Sequence, residues 1–199
     1  LARNWQQGQQ KSEPLTLLPP APGYSAVLAG SCSPKTNRQL KVFEKQHPLY
    51  RVDLLESAEN TNLIDEIVEW AADKMTKGPV GIATSADNEG VERAQKVLGR
   101  RGAADLAEGL MGRLTTRLYE LGVRKFVVAG GETSGTVIDT LGIDRLQVSS
   151  FDHLGGGYCH ATGSEPMSLV TKAGGAGEEN FFEAALERMQ AADAAAQNN

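Results

Sequence analysis

The stretch Lys125-Phe-Val-Val-Ala-Gly-Gly-Glu-Thr-Ser-Gly-Thr-Val-Ile-Asp139 decides the fold. A short apolar block of β-formers, Phe126 to Val128, runs into a glycine pair, an acid and two hydroxyls before helical spacing resumes. Such a pattern predicts a strand buried on both faces of a parallel sheet, a bare turn and a helix start. Gly130 and Gly131 allow close approach to the backbone, and Thr133 or Ser134 is placed to cap the helix. The free N–H groups and positive dipole end of that helix favour a phosphate. A tight βα loop with no ligand fits the same residues, so the motif is suggestive and not decisive.

Working outward, two more turns share the design. In Tyr24-Ser-Ala-Val-Leu-Ala-Gly-Ser-Cys-Ser-Pro-Lys-Thr-Asn-Arg38, Ala26 to Ala29 read as a buried strand and Gly30 to Ser33 as its turn. Ser33 before Pro34 is a strong helix start, because proline at the first helical position has its φ preset and lacks an N–H that would be orphaned. In the third, Ser168 to Phe182, a short strand ends at Lys172 and a glycine-rich turn opens a helix near Glu178. Lys172 there is either a point charge for a phosphate or a solvated strand-end lysine. None of the three fits G-x-x-x-x-G-K-[ST], and none fits G-x-G-x-x-G followed by its acid.

Together the three segments resemble the nucleotide-binding domain of the four-carbon acid sugar kinases. The residues that carry the resemblance are Leu28-Ala-Gly-Ser-Cys-Ser33, Val128-Ala-Gly-Gly-Glu-Thr-Ser-Gly135 with Leu141-Gly-Ile143, and Lys172-Ala-Gly-Gly-Ala-Gly177 leading to Phe181-Phe182. The family's last loop usually reads Lys-Ser-Gly-Asn-Phe-Gly; here Ala173 replaces the serine and Gly175-Ala176 replace Asn-Phe. The resemblance implies an ATP-dependent kinase of a tetronate or 3-oxo-tetronate. It implies Mg2+ beside ATP and an N-terminal domain, absent from this chain, that binds the acid sugar and supplies the catalytic base. This fragment alone would then bind nucleotide and turn over little. Ser31 and Ser33 become the expected hydroxyl or backbone donors, and the amides of Gly130, Gly131, Glu132 and Thr133 the expected phosphate contacts. Gly174 would lie beside the nucleotide, and Glu132 would orient magnesium through water.

Composition narrows the alternatives. The 199 residues are 40% hydrophobic with 22 glycines, enough for one core in a loop-rich domain. A net charge of -5 gives no electrostatic footprint for nucleic acid or an anionic membrane. No apolar run reaches a membrane span and the start is not a signal peptide, so the cytoplasm is the expected compartment. The chain opens on Leu1 rather than Met, as a fragment would. Cys32 and Cys159 are its two cysteines, too few for a disulfide framework. Asp152, His153, Cys159 and His160 match no zinc module, so no metal site is assigned; the glycine-rich run from Ser150 to Glu165 is read instead as a loop closing over a ligand.

Residues 1–23, with Pro14, Pro19, Pro20 and Pro22, read as an extended linker, and residues 24–199 as the nucleotide-binding domain. Expected helices cover Pro34 to Gln46, Asn60 to Lys77, Glu89 to Gly99 and Gly102 to Gly122. Expected strands include Tyr50 to Leu55 and Pro79 to Ser85. Asp87 is better read as a capping or turn residue than as a catalytic acid. The alternation predicts a three-layer α/β/α fold with a parallel or mostly parallel central sheet. Ligands of such sheets bind beyond the carboxyl ends of the strands, where all three turns should meet. A non-catalytic α/β module that senses a phosphorylated metabolite or anion would carry the same turns. The sequence leaves a homodimer open.

Overall fold

The computed structural model describes residues 18–84, 88–149, 157–162 and 165–197. Its elements run β1 (Tyr24–Ala29), α1 (Pro34–Phe43), β2 (Leu49–Arg51), α2 (Leu54–Glu59), α3 (Leu63–Met75), β3 (Val80–Ala83) and α4 (Asn88–Glu120). They continue with β4 (Val123–Ala129), α5 (Gly131–Thr140), β5 (Leu146–Val148), β6 (Gly157–Ala161), β7 (Met167–Lys172) and α6 (Phe181–Gln197). One seven-stranded sheet has the order β2-β3-β1-β4-β7-β6-β5. The first five strands in that order are parallel, whereas β6 and β5 run antiparallel along one edge. The mostly parallel sheet expected from the sequence is therefore the one observed.

Alternation along the strands divides the core. Ala26, Leu28, Phe126 and Val128 face α3, α4 and α5, while Val27, Ala29, Val127 and Ala129 face α1 and α6. Phe43 from α1 meets Phe182 from α6 edge to face, with ring centroids 6.1 Å apart. Rings this deeply buried contribute roughly 1.5–3 kcal/mol each, so the α1–α6 layer is held from within.

This packing positions the site. The chain leaves β1 towards the α1 face and leaves the adjacent parallel strand β4 towards the α5 face. A crevice opens between such strand ends because their following helices diverge. The carboxyl ends of β1 and β4 are thus a switch point, and β7 flanks β4 on its other side.

Several expectations change. The second strand stops at Arg51, because the Asp53 carboxylate accepts from the Leu55 N–H and starts α2. The two helices expected on either side of residue 100 form one long element, broken at Gly99 with φ 74 and ψ 160. Residues 18–23 are not a free linker: Leu18 and Ala21 are buried, and the Ala21 N–H donates to Asp193 Oδ1 at 2.8 Å. Within the run read as a closing loop, residues 157–161 form strand β6 inside the sheet. Asp87, Asp152 and His153 lie outside the described residues. His160 and Cys159 are buried in β6, and no cluster of three metal-ligating side chains occurs among the described residues.

Candidate functional site at the strand ends

The three turns are joined by direct hydrogen bonds. The N–H groups of Gly30 and Ser31 donate to Ala129 O at 3.1 and 3.2 Å, and the Gly130 N–H donates to Lys172 O at 2.9 Å. Ser33 Oγ donates to Gly174 O. The ends of β1, β4 and β7 are thereby fixed as one rim.

Glycine is required where the rim is tightest. Gly130 has φ +124, a conformation that side chains rarely adopt. At Gly30 a β-carbon would stand 2.0 Å from Thr133 Oγ1, so the first turn and the start of α5 need a bare backbone to touch. At Gly131, by contrast, a β-carbon would meet nothing within 4 Å. Gly131 is the first residue of α5 and is exposed.

The start of α5 differs from the sequence expectation. Gly130 is the N-cap and no side chain caps the helix. Thr133 is buried, and Ser134 Oγ donates back to Gly130 O at 2.7 Å. The Gly130 amide is taken by Lys172 O and so is withdrawn from the expected phosphate contacts. The N–H groups of Gly131, Glu132 and Thr133 have no acceptor among the described residues. Unpaired donors at a helix start are chemically suited to an anionic oxygen. Glu132 is exposed on this first turn.

The serines of the first turn mainly build the rim. Ser33 caps α1, its Oγ accepting from the Thr36 N–H at 3.0 Å, and Ser31 Oγ accepts from the Ser33 N–H at 3.3 Å. A β-carbon at Gly174 would stand 2.4 Å from Ser31 Oγ and 3.3 Å from Ser33 Cβ. The serines are therefore what a side chain at Gly174 meets first.

Lys172 is the electrostatic centre. Its residue is only 3% exposed, and Nζ donates to Thr36 Oγ1 at 3.0 Å and to Gly174 O at 3.2 Å. The Phe181 ring lies 5.9 Å from the ammonium, and no carboxylate pairs with it among the described residues. Burial, reinforced by the charge of Lys35, lowers its pKa from 10.5 to about 8. A buried ammonium with only neutral partners gains strongly from an incoming anion.

Sequence reasoning missed Thr36, which is fully buried and links Lys172 and Gly174 to the α1 cap. It also missed Gln39, whose Nε2 donates to Ala176 O at 3.1 Å and Glu178 O at 2.7 Å. Thr36 stands three residues after Ser33 and Gln39 another three on, a helical spacing that marks one face of α1.

The family described as "Nucleotide-binding C-terminal domain" matches residues 26–182, which contain all three turns. The chain belongs to this family. Among curated relatives it is 36% identical over 175 residues to a 3-oxo-tetronate kinase of Burkholderia multivorans, covering 88% of this chain and 41% of that protein. It is 37% identical over 171 residues to a 3-oxo-tetronate kinase of Methylobacterium radiotolerans, covering 85% of this chain and 40% of that protein. The chain thus spans under half the length of these relatives. A crystal structure of a Haemophilus influenzae protein superposes with a TM-score of 0.81 at 25% identity, over 94% of this chain and 45% of that one. A Bordetella bronchiseptica structure with bound citrate, a domain-swapped dimer, matches with a TM-score of 0.63 at 21% identity over 95% of this chain and 44% of that one, and supports the fold alone.

Proposed function

We propose that this chain is the ATP-binding part of a kinase that phosphorylates a hydroxyl of a four-carbon acid sugar, a tetronate or 3-oxo-tetronate. The observation that carries the reading is the rim itself. Three amides at the start of α5 with no acceptor among the described residues, and the buried Lys172 ammonium, are held on neighbouring strand ends that hydrogen-bond to one another. The substrate class comes from the similarity to 3-oxo-tetronate kinases.

Mg-ATP, when bound, supplies the phosphoryl group and the divalent charge that offsets its negative oxygens. The residues present fit such a group: the open space at Gly131 would admit phosphate oxygens to the α5 amides, and Lys172 would neutralise charge with no competing carboxylate among the described residues. Thr36 and Gly174 O hold the ammonium in place, so little reorganisation accompanies binding. Glu132, beside those amides, would help hold a magnesium ion, whose charge would offset the repulsion between its carboxylate and phosphate. The base that activates the sugar hydroxyl is assigned to a second domain, as is the acid-sugar site.

Calorimetry of Mg-ATP binding to this chain tests the reading, with saturable heat expected. Absence of binding to folded protein counts against it. Gly131→Val places a branched side chain over the amides and should lower affinity; unchanged affinity would move the phosphates elsewhere.

A further inference from the structure

A cavity of about 350 Å3 adjoins the rim on the α5 face of the sheet. The break at Gly99 makes it: the two arms of α4 meet at an angle and leave a hollow over the ends of β1 and β3. Its walls are mostly small and apolar, among them Val91, Ala94, Ala104, Ala107 and Met111. Gly30, Glu132 and Thr133 also line it, so it is continuous with the start of α5.

One polar atom inside lacks a partner. Thr84 is 2% exposed and its Oγ1 has no hydrogen-bond partner among the described residues. Burying a hydroxyl without a hydrogen bond is unfavourable. The residue lines this cavity, where a ligand atom can restore the missing bond.

We infer that the cavity under the broken helix takes the planar heterocyclic base of a nucleotide whose phosphates lie at the first turn of α5. The inference rests on the nucleotide reading above and adds a location for the base. Charge argues against the other ligands. Among the described lining residues Arg100 is offset by Glu108, and Glu132 stands on the phosphate side at the start of α5, so the apolar hollow carries no excess positive charge to draw in a sugar acid. Alanine walls provide no array of donors for a polyhydroxylated substrate, but they do provide flat apolar surface for a ring. Thr84 Oγ1 and the Gln95 amide can then pair with ring nitrogens or an exocyclic group, the usual arrangement of few polar groups in an apolar pocket.

The test compares Mg-ATP with magnesium tripolyphosphate, which has the phosphates and no base, by calorimetry on the 199-residue chain. ATP should bind more tightly than tripolyphosphate. Ala104→Phe, which fills the cavity, should weaken ATP roughly tenfold through overpacking and leave tripolyphosphate unchanged. Thr84→Val, which removes only the hydroxyl, should weaken ATP by about three- to tenfold and again spare tripolyphosphate. Thr84→Val decides alone if Ala104→Phe does not fold. Equal affinities of wild type for the two ligands, ATP binding unaltered by either folded variant, or parallel loss of both ligands would overturn the base assignment. Binding of neither ligand by folded wild type would remove the nucleotide reading beneath it, an outcome distinct from the other three.

Discussion

Two lysines are buried in this sheet, Lys125 at 4% and Lys172 at 3% exposure, and they serve opposite ends of it. Lys125 begins the parallel pairing of β4 with β7, opposite Ser168, and Lys172 ends it, opposite Ala129. Lys125 Nζ is fully satisfied: it meets Asp193 Oδ2 at 2.6 Å, Gly23 O at 2.7 Å and Ala21 O at 2.9 Å. Those bonds staple the entering segment and the last helix to the amino end of the sheet. Among the described residues Lys172 Nζ meets only a hydroxyl and a carbonyl. The same side chain at the same depth is a closed structural joint at one end and an open charge at the other. What differs is the carboxylate: among the described residues none stands beside Lys172, and on the proposed reading an anion takes its place.

The largest expected effect lies in the closed joint. Asp193→Ala leaves the Lys125 ammonium buried with two carbonyls, and breaking a buried pair in this way costs about 3–5 kcal/mol. Urea unfolding should show the loss, with Mg-ATP affinity of the folded fraction unchanged. An equally large loss from Lys172→Met would erase the contrast between the two ends.

The open charge should respond the other way. Lys172→Met is expected to lower Mg-ATP affinity about 10- to 100-fold, the worth of a charge-assisted hydrogen bond, with unfolding stability unchanged or raised. Calorimetry and urea unfolding on one preparation check both halves. Full affinity in a folded variant would show that the ammonium does not face the phosphates.

Acidity sharpens the comparison. The depressed pKa of Lys172, about 8, means the folded chain gives up this proton more readily than the unfolded chain. Stability from this group therefore rises as pH climbs from about 8 towards 10.5, where the unfolded chain still holds the proton. Ligand affinity has the opposite slope, because the neutral amine attracts no phosphate. Mg-ATP binding should weaken above about pH 8 and take up a proton there, read from binding heats in two buffers of different ionisation enthalpy.

The smallest effect concerns the frame of the rim. Ser33→Ala removes the α1 cap and the bond to Gly174 O, and loss of such a cap costs about 1 kcal/mol. Thermal melting should register it together with a modest drop in affinity; a melting temperature equal to wild type would show that Gly174 is held by other contacts.

Some of this was legible without coordinates. The Phe126–Val128 block, its glycine pair and the Ser33-Pro34 helix start are local signals, and each lies where the sequence puts it. The edge strands were not legible. Gly157 to Ala161 follows a glycine run that reads as loop, and it becomes a strand by pairing with β7, a long-range contact no local pattern records. Thr84, just past the end of β3, carries no local signal, because its missing partner shows only once the helices are packed over it.

The class of fold, the three bare turns and the family follow from local signals, because period, glycine placement and capping chemistry act over a few residues. Packing set the rest: among the described residues, it left three α5 amides without an acceptor and gave Lys125, not Lys172, a carboxylate. The Gly130 N–H is spent on Lys172 O, and Asp193 reaches Lys125 from the last helix. Those outcomes depend on which strands become neighbours, and burial turns a missing partner into an energetic demand that a ligand can meet.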